Sequence, residues 1–262
     1  MHELSNNKPM GTKFSYQPKI GIPIATSTIN DPRSHYSDYI SSACYLAYRC
    51  LDGTYEDIKY AWECLCKADS MIEDLLNKEK IWFVSRWSCS LSIAKIYMKM
   101  CCLKENIPVE DLKKLANSNY SILYPPQIVN VLRANSMLVL NYFVENDIDA
   151  VNEQIYGITL PVFSKSMSLY KITKKPENRS DISRQMLDVA ECITFIFKVR
   201  DSFNAVKLTV LSDPYQYQHR RCPLSKNDVS WINNEIIKNI NTKFKEPYYK
   251  SMKIILEKLP NL

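Results

Sequence analysis

The sequence predicts an all-α fold: irregular helical hairpins, α-solenoid-like or arranged as an orthogonal bundle, with an extended N-terminal arm. Three observations predict it. Only four Gly occur in 262 residues, against roughly 7% in average proteins, which leaves little backbone freedom for tight hairpins, phosphate loops or the βα turns of a doubly wound sheet. Apolar residues recur at intervals of three and four in segment after segment, the period of a helix with one buried face. Strand-type alternation never runs far, with Ile158–Val162 the one ambiguous piece. A chain of this length can bury roughly 70–75% of the surface it exposes when unfolded, so its core needs neither disulfide nor metal.

Taken in order, residues 1–31 contain Pro9, Gly11, Pro18, Gly21 and Pro23 and show neither period, which reads as an extended arm. Asp31-Pro32 then reads as an N-cap followed by Pro at the first helical position, opening a helix striped by Ile40, Ala43, Cys44, Ala47 and Leu51 and stopped at Asp52-Gly53. Ile58, Ala61, Trp62, Leu65, Ile72, Leu75 and Leu76 make a second amphipathic helix, antiparallel to the first because the connection is short. From Ile81 to Leu103 apolar residues cover nearly every face, which puts this helix, with Trp87 and Leu91, in the densest core. Pro108 opens a short helix ending near Asn117, and Pro125-Pro126 opens another through Phe143. A turn at Glu145–Asp147 leads into a helix ending at Gly157. Ser180 can cap a long helix running through Val206. A polar loop at Leu211–Asp228 follows, then a helix through Ile240 and a last one opened by Pro247. The domain reading is an arm at 1–31, a hairpin region at 32–164 and a basic helical region at 165–262 packed on it, with 32–262 as one domain the other arrangement.

The segment from Leu51-Asp52-Gly53-Thr54 through Trp62 resembles the inter-helix turn and second helix of a tetratricopeptide-type hairpin, and Asn146-Asp147 through Gln154 is similar to the same place in a later hairpin. The likeness covers roughly residues 38–157. It departs from the family in turn spacing and in lacking its Trp-Leu-Gly-Tyr pattern. The resemblance implies a stacked helical scaffold whose concave face grips a peptide or protein.

Charge is unevenly spread. Residues 1–164 carry 16 Lys and Arg against 18 Asp and Glu, while 165–262 carry 18 against 10, so the net charge of +6 belongs to the C-terminal third. Such asymmetry points to an anionic partner, although an AT-rich genome also inflates Lys, Asn and Ile. Residues 1–19 are polar and Ile20–Ala25 is short and holds Pro23, which does not read as a signal peptide. Arg86, Lys95 and Lys99 interrupt the longest apolar stretch, so no transmembrane segment is expected. Nine Cys, an odd number with Cys44, Cys50, Cys64, Cys66, Cys89, Cys101 and Cys102 among those on expected helices, fit a reduced cytoplasmic setting and buried small hydrophobes. Cys64-x-Cys66 and Cys101-Cys102 point apart on a helix and lack a nearby His, so no metal or other cofactor is expected.

The loop around Tyr215, Tyr217, His219, Arg220 and Arg221, extended by Lys226, is the candidate phosphate or nucleic-acid contact. Arginine forks pair with phosphate oxygens and tyrosine rings stack on bases. The structural alternative has the two arginines capping helix ends or pairing with surface carboxylates. Cys222 and His219 could touch, but no third group to orient the imidazole is visible. An all-α Mg-dependent enzyme would need Asn146, Asp147 and Glu153 with Asp69, Glu73 and Asp74. Asn146, Asp147 and Glu153 resemble the second metal motif of terpene synthases, but Glu153 comes one residue early and Ala150 replaces the Ser/Thr, and the cluster of Asp69, Glu73 and Asp74 lacks the paired leading Asp of that family. The last helix is basic and amphipathic, and reads as packed on the bundle rather than laid on a membrane surface. The expected function is non-catalytic binding of a partner macromolecule, a protein first and a nucleic acid second, with the Mg-dependent enzyme third.

Overall fold

The computed structural model describes residues 18–50, 53–78, 84–118, 125–145, 147–159, 161–162, 196 and 246–258. Its helices are α1 (Pro18–Asn30), α2 (Tyr36–Arg49), α3 (Tyr55–Lys78), α4 (Val84–Cys101), α5 (Val109–Ala116), α6 (Pro125–Val144), α7 (Ile148–Glu153), which runs on as a π-turn (Gln154–Thr159), and α8 (Glu246–Leu256). Among the described residues there is no strand, and Ile158 and Thr159, where alternation left strand open, close the π-turn. The chain divides into two compact units, Met1–Asn106 with Thr242–Pro247 and Ile107–Asn241 with Tyr248–Leu262.

In the first unit α2 packs against α1, α3 and α4, and α3 packs against α4. The extended arm is corrected here over residues 18–30, which form α1. Gly21, Ala25 and Ile29, four residues apart, are its buried residues, and burial of that stripe outweighs the poor local propensity of a helix holding Pro23. The next helix starts at Tyr36 rather than Pro32, capped by His35, whose side chain accepts from Ser37 N. Asp31 is spent within the connection, accepting from Arg33 N at 2.9 Å and pairing with the Arg33 guanidinium at 3.1 Å.

Gly53 turns the chain between α2 and α3, donating its N–H to the Cys50 carbonyl at 3.0 Å. A Cβ there would meet the Cβ of Asp57 at 3.1 Å and the Cys50 oxygen at 3.3 Å, so any side chain would crowd the turn and push these neighbours back by a few tenths of an ångström. Thr54 and Asp57 form a reciprocal cap for α3: Asp57 Oδ2 accepts from Thr54 N at 3.0 Å, and Thr54 Oγ1 accepts from Asp57 N at 3.3 Å. In α4, Leu91 is buried as expected at 1% exposure. Trp87 is only partly buried against the core, the usual fate of a ring too large to be wholly enclosed. The exit from α4 uses Lys104 at φ 50°, a left-handed position that glycine normally fills.

In the second unit α6 packs on α5, α7 and the π-turn. Leu132, Met137, Leu138 and Phe143 of α6, Leu112 of α5 and Ile155 of the π-turn are buried. Pro108 and Asn117 flank α5, as the sequence reading has them, and in the turn expected at Glu145–Asp147 it is Asp147 that caps α7, accepting from Ala150 N at 2.9 Å.

Candidate functional site

Tyr215, Tyr217, His219, Arg220, Arg221 and Lys226 all lie outside the described residues, as do Cys222 and, apart from Ile196, which is helical and buried, the long helix expected from Ser180. Two other sequence candidates are described in part. Asp147 is engaged as the N-cap of α7, and Asp69 on α3 is paired with Lys95 of α4, whose ammonium also lies 6.0 Å from the centre of the Trp62 ring. Among the described residues no group of three His, Cys, Asp or Glu side chains stands where it could hold a metal ion.

Cys44, Cys50, Cys64 and Cys89 of the first unit are packed as small hydrophobes, while Cys66 is exposed and Cys101 and Cys102 are half-buried. Cys44, on the buried face of α2, is pushed up to about 12 by desolvation, and burial likewise pushes the Cys50 thiol up to about 11. Cys64 on α3 is also raised, chiefly by burial, although hydrogen bonds with Tyr60 and Tyr39 pull the other way. Burial, followed by the neighbouring Cys64, raises the Tyr39 phenol, and Lys67 lies 5.1 Å from its ring centre. Tyr60 donates to Asn30 Oδ1 at 3.4 Å. These groups are overwhelmingly neutral thiols and phenols at physiological pH, so any reaction through a thiolate is slow there and speeds as pH rises.

The second unit holds a buried polar network that the periodicity did not disclose. Asn135 of α6 is fully buried, and its Oδ1 accepts from Gln154 Nε2 at 2.6 Å and from Thr159 Oγ1 at 3.0 Å. Its own amide donates to the Val131 carbonyl at 2.8 Å. Thr159 Oγ1 also donates to the Gln154 carbonyl at 3.0 Å, so both ends of the π-turn are held by one carboxamide. Six residues along, Asn141 is equally buried, and both polar atoms of its side chain stand without a hydrogen-bond partner among the described residues.

On α8 the sequence reading and the structure meet. Tyr248, Met252, Ile255 and Leu256 are buried while Lys253 and Lys258 are exposed. The Arg133 guanidinium of α6 lies 5.7 Å from the centre of the Tyr248 ring. Most apolar residues of this helix are therefore enclosed by protein, Lys253 faces solvent, Lys258 is exposed just past the helix end, and Lys250 is half-buried. Among the described residues no helix is long and apolar enough to cross a membrane.

No protein-family model, curated protein or solved structure matches the chain. The residues that carry the tetratricopeptide resemblance, 38–157, are shared between the two compact units.

Proposed function

We propose that this protein is a non-catalytic helical interaction module that holds an acidic macromolecular partner, a protein in the first place, against its basic C-terminal third in a reducing compartment such as the cytosol. The observation that carries the reading is the arrangement of α8, which buries Tyr248, Met252, Ile255 and Leu256 and turns Lys253 outward, with Lys258 exposed just past its end. This helix lies within the 165–262 stretch that carries 18 basic against 10 acidic residues. A surface of one sign raises the encounter rate with a partner of the other and sets its orientation. The roles found for Asp69 and Asp147, one an ion pair and one a helix cap, support binding over metal-assisted chemistry.

A nucleic acid is the second reading, favoured by Arg220, Arg221, Tyr215 and Tyr217, which combine phosphate forks with stacking rings within one stretch of chain. Capture from extract by the tagged full chain, with and without nuclease, separates the two. The first reading expects a stoichiometric acidic protein that survives nuclease and elutes with salt. Loss of all captured material on nuclease treatment selects the second, and a capture insensitive to salt contradicts both.

A further inference from the structure

We infer that Cys50 and Cys102 form a reversible disulfide, made by exchange with a low-molecular-weight disulfide of the glutathione type, that ties the C-terminal ends of α2 and α4 together. Two contacts show that these ends lie side by side. The rings of Tyr48 and Tyr97 are 5.9 Å apart between centroids, and Cys102 Sγ is 3.9 Å from the Cys50 carbonyl oxygen. Both cysteines stand just outside a helix body, Cys50 as the C-cap of α2 and Cys102 directly after the last residue of α4. A disulfide needs Cα atoms about 4.4–6.8 Å apart, and helix ends adjust to such a distance more readily than helix interiors, because fewer backbone hydrogen bonds hold them. Cys44 and Cys89, by contrast, sit buried within α2 and α4.

Exposure sets the order of events. Cys102 is half-buried and Cys50 nearly enclosed, so the external disulfide meets Cys102 first. The Cys102 thiolate attacks one sulfur of oxidised glutathione, forming a mixed disulfide and expelling one glutathione thiolate. Cys50 then gives up its proton, and its thiolate attacks the Cys102 sulfur, forming the protein disulfide and expelling the second glutathione. Two protein thiols are oxidised, one glutathione disulfide is reduced, and the two protons end on the released thiols. The burial that raises the Cys50 thiol makes the second step the slower one at neutral pH and speeds it as pH rises.

The test incubates the full chain with oxidised glutathione at neutral and mildly alkaline pH, then maps peptides without reduction. The expected result is a Cys50–Cys102 cross-link that forms faster at the higher pH, raises the melting temperature by roughly 5 °C, and is reversed by dithiothreitol. Cys102→Ser should abolish the cross-link, and Cys50→Ala should leave Cys102 trapped as its glutathione adduct. The peptide map of the unmutated protein decides the matter should either variant fail to fold. A glutathione adduct on Cys102 beside a free Cys50, a cross-link to a different cysteine, or no oxidation at all overturns the proposal.

Discussion

Asn135 is a polar side chain sealed inside α6, with two donors aimed at its single carboxamide oxygen. Replacing it with Leu keeps the volume but leaves Gln154 Nε2 without its acceptor, and a buried orphan of this kind costs about 1–3 kcal/mol. Urea denaturation of Asn135→Leu should show that loss, and an unchanged midpoint would mean that the network contributes nothing. Leu91→Ala should cost about 2–5 kcal/mol, while Trp87→Ala should fall short of the ~3–5 kcal/mol of a fully buried ring because part of this one stays in solvent. Equal losses would contradict the burial difference. At low pH two surface carboxylates matter. Asp31 is held below its ordinary range chiefly by the Arg33 side chain, and Asp57 chiefly by the Thr54 side chain. A carboxyl lowered in the folded state gives stability that is present above its unfolded value and fades as pH falls through the folded one. Asp57→Asn should therefore make the loss of stability from about pH 4 downward shallower, and an acid limb that overlays the unmutated one would contradict the cap. Leu91 was legible because an all-round apolar helix has to be central. Asn135 was not, since a lone amide within apolar periodicity carries no mark of the partner nineteen residues ahead.

At the scale of elements, α3, α5 and α6 were legible because local signals and apolar spacing agree: Gly53 at a turn where a Cβ would crowd Asp57 and Cys50, Pro108 and Asn117 around α5, and Pro125 opening α6; of α2 the apolar stripe was legible but not the start, since His35 and not Asp31 caps it. The element missed is α1. Its sequence holds Pro18, Gly21 and Pro23, all of which read as breakers, and tertiary burial of Gly21, Ala25 and Ile29 overrides them. Pro23 is exposed, so its ring packs nothing essential. Pro23→Ala should stabilise α1 by up to about 3 kcal/mol, the difference between the two residues inside a helix, read as a higher urea midpoint. A lower midpoint would show that the proline sets a bend that α1 needs. The π-turn was equally hidden, because the hydrogen bonds that tie Gln154 and Thr159 at its two ends to Asn135 are long-range and leave no mark in its own composition.

For the whole molecule, charge is the feature that the sequence states most clearly, and composition alone gives its sign and its place. What composition cannot give is direction, which depends on the face each helix buries. On α8 Lys253 is outside and Tyr248, Met252, Ile255 and Leu256 are inside, with Lys258 exposed just past the helix end. Residues 215–226 remain a reading of sequence, because loop side chains converge through tertiary contacts that no local pattern encodes. The central claim is a basic surface that binds polyanions, and salt-dependent anisotropy tests it most directly, using a labelled polyglutamate peptide and a labelled single-stranded oligonucleotide against the unmutated chain and Lys253→Glu with Lys258→Glu. The account predicts binding at low salt that weakens linearly in log K against log[salt], and a shallower slope in the double variant, by about 0.7 for each oligonucleotide phosphate that the variant no longer neutralises. No binding of either probe at low salt, or a double variant that binds with unchanged affinity and slope, would contradict it.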